Sequence, residues 1–552
     1  MLSLALFAAV AAAAAAQPAP LKGEPPRALA AAARVRASEI SAHIRFLADD
    51  LLEGRKPGTN GSVLAVKYIA AQFEAMGLKG GAADGTFLQQ VPLVELAGKV
   101  PPVLNFRAQG QELSLSTTGG AKADLVIDPD AHVDLAQVRD ADLVFAGYGI
   151  VAPEYGWDDY KDVDVRGKVV VLMNFNPPFA GAGVRLWYGR WDYKYLTAAA
   201  HGAIGALVIH TTESAGYPWQ VLASSADGVR IDLPPQPGEK RMQFQGWIAD
   251  DGARRLFKLA GKDLEALRTQ AQNPDKSFRA LPLGLQTSLE MPIARRTTES
   301  ANVLGLLPGT DPALKSEVVM YTAHHDHLGR VTPVPPATDG IYNGALDNAS
   351  GVATVLAIAR AALVAPPRRS ILFCLVTAEE QGLLGSRYLA QHPPVPAGLI
   401  AADINIDSIN KWGATKDLTM LGLGKSTLDA VVKQVASEQG RTVHGDPHPD
   451  RGAFYRSDQF ELARIGVPVL EVRGGPTYAG KPLGWGDAQE LAFERTDYHQ
   501  PSDEYHGDWD LAGAVQDAQL QLLIGLRVGN APAMPAWTPG DEFEGARKRA
   551  AR

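Results

Sequence analysis

The chain has 552 residues, 46% of them hydrophobic and 21% charged, which is too long for one hydrophobic core and ordinary for a soluble globular protein of two or three domains. A formal net charge of −8 offers no basic surface and excludes nucleic acid as a partner. The single cysteine, Cys374, excludes an internal disulfide and a cysteine-rich zinc module; set between Phe373 and Leu375, it reads as a small buried apolar residue.

The chain opens with Met1-Leu2-Ser3-Leu4-Ala5-Leu6-Phe7 and an alanine-rich run ending at Ala16-Gln17. Its apolar length and small-residue end are those of a secretory signal cleaved after Ala16, although no Lys or Arg precedes the apolar core. The stretch is short for a membrane anchor. The expectation is a secreted or periplasmic protein, with 1–17 as its signal segment and no stable membrane insertion after the signal is removed.

Ile40, Ile44, Leu47 and Leu51 have helical spacing, and Val63, Val66, Ile69, Phe73 and Met76 predict a second helix with Gly77 at its C-terminal cap. Gly54-Arg55-Lys56-Pro57-Gly58 and Thr59-Asn60-Gly61 break the chain between them. Both helices read as packing elements. From 106 to 293 the texture is β-rich, with runs such as Lys168–Met173 and Gly205–His210 between Gly, Pro and Asp turns. His210 reads as a structural histidine, and no ligand cluster recurs at a useful spacing.

From 294 to 530 the pattern changes to alternating strands and helices. Strands are expected at 302–306, 318–323, 370–377, 399–406 and 467–472, and helices at 351–364, 382–391, 427–439 and 510–528. This predicts an α/β fold whose mixed, largely parallel sheet carries helices on both faces, with residues 35–105 supplying the N-terminal part of the same domain. The tail, 531–552, is rich in Pro, Gly and charge and reads as loosely ordered.

Potential ligands follow these strands one after another. His324 and Asp326 follow the second. Asp347 precedes the helix that starts near Gly351. Glu379 and Glu380 follow the strand 370–377, Asp407 follows 399–406, and His499 and Asp503 lie far downstream. In such sheets, sites form beyond the carboxyl ends of the strands. Two histidines with three carboxylates suit zinc, cobalt or manganese, and a pair of metals needs one bridging carboxylate. The adjacent glutamates alone could be an acidic helix N-terminus. Beside four other strand-end ligands they read as one metal ligand and one proton shuttle.

Ala323-His324-His325-Asp326, the run Gly344–Gly351, Ala378-Glu379-Glu380-Gln381 continuing to Ser386, Asn405-Ile406-Asp407 and Tyr498-His499-Gln500-Pro501-Ser502-Asp503 resemble, in order, the metal-site motifs of the M28 family of co-catalytic zinc exopeptidases. The Gly54–Gly61 segment resembles the family's N-terminal motif. The insert 106–293 resembles a protease-associated (PA) domain through Gly147-Tyr148-Gly149, Asp164–Val170 and Gly202–Val208.

The resemblance implies two zinc ions per chain. One would be held by His324 and Asp407, the other by Glu380 and His499, with Asp347 bridging. Glu379 would be the general base and Tyr498 a donor to the developing oxyanion. Asp326 would orient His324, and Asp503 would do the same for His499. His325 and His327 fall at non-ligand positions, and Gln459 stands where relatives often have histidine.

The implied activity is aminopeptidase hydrolysis of peptides. Carboxypeptidase or dipeptidase activity on the same scaffold stays open, since Arg473 and Lys481 lie in a loop, 473–497, that could reach the site and wall its pocket. A glutaminyl-cyclase-like enzyme lacks a full second-metal set, and a receptor-like binding protein would have lost ligands. The PA-like domain would bind protein or restrict access of substrate.

Overall fold

One strand, Leu281–Leu307, belongs to two sheets and ties the molecule together. The computed structural model describes residues 25–550 except 109, 182, 226–228, 274, 276 and 334–337. The expected signal segment, 1–17, lies outside the described residues. Leu88–Gly98 pairs antiparallel with the long strand from Ile293↔Gly98 to Val303↔Leu88, so chain leaves one sheet and returns to it along a single two-stranded ribbon. The expected junction at 293 therefore falls inside a continuous strand.

The first half of the long strand enters a sheet built from the intervening chain. It pairs with Leu135–Phe145, which continues through parallel strands Val169–Met173, Gly205–His210 and Phe244–Ala249 to antiparallel Leu125–Pro129. The second half enters the sheet that carries the candidate site. Its central strands are β1 (Val318–His324), β2 (Ser370–Val376) and β3 (Ile400–Asn405). The order is Leu281–Leu307, β2, β1, β3, Val469–Gly474, Asp417–Leu421, Thr442–Gly445. It is parallel from β2 through Val469–Gly474 and antiparallel at the long strand and at Asp417–Leu421.

Every residue of β1, β2 and β3 is buried, as parallel strands covered on both faces require. Val319, Tyr321, Ile371 and Phe373 pack into one core, with helices Ala37–Leu47, Ser350–Ala362 and Ala512–Asn530. Met320, Leu372 and Cys374 turn to the other, with Leu389 and Phe460. This alternation is the period-two geometry of strands. The last helix lies very close to β1: the Tyr321 hydroxyl donates to the Gln521 carbonyl at 2.9 Å, and a Cβ at Gly525 would stand 1.9 Å from that hydroxyl. The Cys374 thiol is buried, as expected.

Strands Asp417–Leu421 and Thr442–Gly445 had no counterpart in the sequence reading; both are short, and Thr442–Gly445 is polar and largely exposed. The tail is a correction. Trp537 and Phe543 are buried, the Trp537 indole N–H donates to Gly466 O at 3.0 Å, Lys425 holds Asp541 and Glu542, and Glu544–Ala550 is helical. Its Pro- and charge-rich composition concealed two aromatic anchors. Among the described residues, no helix is long and apolar enough to cross a membrane.

Candidate metal centre

β1 delivers His324 at its C-terminal end, and the neighbouring strands deliver their carboxylates to the same rim. Glu379 and Glu380 follow β2, Asp407 follows β3, Asp347 sits in the segment Ala345–Ala349 before helix Ser350–Ala362, and His499 follows helix Trp485–Thr496. His324 Nε2 lies 3.2 Å from Asp347 Oδ1 and 3.5 Å from Asp407 Oδ1. His499 Nε2 lies 3.2 Å from Asp347 Oδ2 and 3.2 Å from Glu380 Oε2. The two oxygens of Asp347 thus face different imidazoles. Ligand atoms of His324, Asp347 and Glu380 fall within 4.8 Å of one another.

The backbone around these residues is unusual. Ala378, Ser408, His499 and Arg55 are non-glycine residues at φ of 56°, 71°, 57° and 52°. Each such conformation costs of order 1–3 kcal/mol and persists only where surrounding contacts impose it. Asn348 supplies some of those contacts: its Oδ1 accepts from Gly351 N at 2.9 Å and Ser408 N at 3.0 Å, and its Nδ2 donates to Ile406 O at 3.0 Å. This side chain fastens the Asp347 segment to the Asp407 segment.

Two expected orienting roles are corrected. The partner of His324 Nδ1 is the backbone carbonyl of Asp326, at 3.2 Å, which leaves Nε2 free to face the carboxylates. The Asp326 carboxylate is 3.8 Å from that ring and instead accepts the N–H groups of Glu379 (3.1 Å) and Glu380 (3.4 Å). Asp503 likewise does not serve His499; it accepts the N–H groups of Leu346 and Asp347. Both acids hold the backbone of ligand-bearing turns, where the N–H donors lie within reach and the rings do not.

Two residues without an expected role in the centre reach it. His327 Nδ1 stands 2.6 Å from Glu380 Oε1, so this residue, expected at a non-ligand position, does meet the site. Arg55, in the Gly-rich break between the first two helices, is buried beneath the centre and donates to the carbonyls of Leu47, His325, Asn343 and Gly344. The clue was its place in the Gly-rich segment that resembled the family. His325 is structural, its Nε2 2.9 Å from Ala301 O. Gln459 donates to the Phe454 carbonyl at 3.0 Å. His210 sits 5.4 Å from Trp219 and 5.9 Å from Trp247, centroid to centroid, remote in sequence from every residue of the centre.

The electrostatics call for a cation. Burial disfavours charge on His324, yet Glu379, Asp347 and Asp407 hold its imidazole well above the usual range. Burial likewise opposes charge on His499, but Glu380 and Asp347 push it up to about 11. Without a metal, the carboxylates keep protons on both rings; a divalent cation would replace those protons, and the two-His, three-carboxylate set fits zinc. Burial, with Glu380, Asp458 and Asp407 nearby, raises Glu379 well above a normal carboxylate, as suits a group that takes up a proton. Tyr498 stacks on His499 with centroids 4.0 Å apart and, like that histidine, lines the space beside Glu379.

Two cavities meet at the centre. One, of about 510 Å³, lies between the rim of the centre and the insert and is bordered by Glu379, His499, Tyr498, Trp191, Trp247 and Arg456. The other, of about 370 Å³, is bordered by Asp407, Glu379, Tyr498, Arg473, Glu490 and Phe493. Residues 473–497 do wall this second cavity, but as helix Trp485–Thr496 rather than as loop over that span. Arg473 is paired with Glu471, and Lys481 lies 4.8 Å over the Trp485 ring and lines neither cavity.

Residues 302–523 match the model of peptidase family M28. The chain carries an M28 peptidase domain. All five residues of the centre, together with Glu379 and Tyr498, fall inside it. Leupeptin-inactivating enzyme 1 of Streptomyces exfoliatus is 27% identical over 259 residues, 44% of this chain and 51% of that protein. A probable zinc metalloprotease of Pyrenophora tritici-repentis is 44% identical over 76 residues, 14% of this chain and 18% of that protein. The chain thus spans about half the length of the first relative and less of the second. Among solved structures, an aminopeptidase from Aneurinibacillus sp. strain AM-1 aligns with 16% identity and a TM-score of 0.49 over 92% of this chain and 97% of that one. A zinc aminopeptidase from Bacillus subtilis aligns with 18% identity and a TM-score of 0.42 over 89% and 95%.

Proposed function

We propose that this M28 domain is a di-zinc aminopeptidase, secreted or periplasmic, that releases N-terminal residues from peptides. The observation that carries the reading is the Asp347 carboxylate, with Oδ1 toward His324 and Oδ2 toward His499, each at 3.2 Å. His324 and Asp407 would hold one zinc, Glu380 and His499 the other, and Asp347 both. Zinc bound there supplies Lewis-acid polarisation of the peptide carbonyl and acidifies water. Glu379 takes the proton from the attacking water and returns it to the leaving amine. Tyr498 donates its hydroxyl to the oxygen that gains charge.

Acids in the wall of the second cavity, Glu490 and Asp446, favour a free α-ammonium there. The apolar segment Met1–Ala16 supports export, and the insert 106–293 reads as a PA-like domain that narrows access. The test is zinc content by elemental analysis, with rates on leucyl-p-nitroanilide and on an N-acetylated dipeptide. Two equivalents of zinc and cleavage of only the free-amine substrate are expected. Cleavage of only the N-blocked substrate would replace this reading with carboxypeptidase action.

A further inference from the structure

The 510 Å³ cavity is rich in arginine, yet almost every guanidinium in its wall is committed. Arg190 is paired with Asp192 at 2.9 Å, Arg230 with Asp130 and Asp232 at 3.0 and 2.8 Å, and Arg451 with Glu494 at 2.8 Å. Arg185 spends its donors on the carbonyls of Asp450, Gly189 and Ser214. Arg456 is different. Its side chain is exposed and, among the described residues, has neither a carboxylate nor a carbonyl partner. It borders both cavities, as do Glu379, Tyr498 and His499.

Its position is set from the insert's side. Arg185 N donates to Pro449 O at 3.2 Å and Arg185 Nε to Asp450 O at 2.9 Å, and a Cβ at Gly452 would press within 2.6 Å of Arg185 Cδ. Trp187 meets Phe460 at 5.8 Å between centroids and lies 4.8 Å under the Arg464 guanidinium. These contacts bracket Arg456 and hold its segment against the insert. The cavity has the volume of a small-ligand pocket, enough for a few residues of peptide.

We infer that Arg456 binds the free α-carboxylate of a di- or tripeptide whose leaving portion occupies the 510 Å³ cavity, so that short peptides with a free C-terminus are the preferred substrates. The inference rests on the peptidase reading above. A guanidinium at the edge of the pocket forms charge-assisted, bidentate bonds to a carboxylate, which an amide terminus cannot reproduce.

The experiment is calorimetric binding of Leu-Gly-Gly and of its C-terminal amide to the zinc-loaded Glu379→Gln chain, which would not consume them. The free acid is expected to bind about ten- to a hundredfold tighter than the amide. Adding Arg456→Ala, or Arg456→Gln with its similar length and no charge, brings the ratio to near one. Equal affinities before the second substitution, or a ratio that survives it, overturn the inference. Hydrolysis of leucyl-p-nitroanilide by the unaltered chain, a substrate without a carboxylate, tests the aminopeptidase reading separately.

Discussion

Asp503 and Asp347 are 156 residues apart, and the carboxylate of the first accepts the backbone N–H of the second at 3.0 Å while also accepting that of Leu346 at 3.0 Å. Burial, with the Asp347 charge nearby, raises Asp503 to about 6, although the two N–H groups oppose the shift. The buried acid therefore fixes the segment that aims both Asp347 oxygens.

Asp503→Asn keeps one acceptor and turns an NH₂ toward the other N–H. Metal affinity is expected to fall about 10–100-fold with the fold retained, as for other partners that orient a ligand. Competition with a chromogenic chelator measures it; unchanged affinity would count against the role.

Glu379→Gln removes the proton acceptor but none of the five residues that surround the proposed metals. The expected outcome is a loss of about 10²–10⁴ in kcat with zinc content unchanged. Elemental analysis beside steady-state kinetics checks both halves, and a wild-type rate would sink the assignment.

Arg55 lies under the site with carbonyl partners at 2.6–3.0 Å and one shorter. Burial lowers it to about 10 even though Asp326, Asp503, Asp347 and Glu380 favour the cation, so it stays charged at neutral pH. Arg55→Met leaves buried carbonyls without donors and is expected to cost about 3–5 kcal/mol. Arg55→Lys recovers only part, because a single ammonium cannot span acceptors arranged around a planar fork. Urea unfolding of the two variants tests this ordering.

His325 provides the pH test. Burial, with Arg55 and His324 adding to it, holds its imidazole down to about 4 against the bond to Ala301 O. The unfolded chain takes up this proton near pH 6.5, so its contribution is complete above that pH and is lost as pH falls through about 4; the window is worth about 3 kcal/mol. In metal-free protein, His325→Gln should flatten the fall in stability between neutral and acid pH. Parallel slopes in urea titrations would exclude it.

The alternation of buried strands and helices was legible along the chain because each element carries its own period. The ligand types were legible because β1 ends in His324, and Glu379–Glu380 and Asp407 follow β2 and β3 within a few residues. His327 against Glu380, Asp326 under the Glu379–Glu380 turn, and Arg55 reaching Asn343 across 288 residues were not. Nor were the buried Trp537 and the junction that sets Arg456 between the two cavities. Taken alone, the sequence determined the α/β fold and the order of the candidate ligands, since periodicity and residue type act over neighbouring positions. Only the tertiary structure decided which acids hold backbone and which face the centre, because a hydrogen bond between distant segments depends on their approach in space and leaves no spacing in the chain.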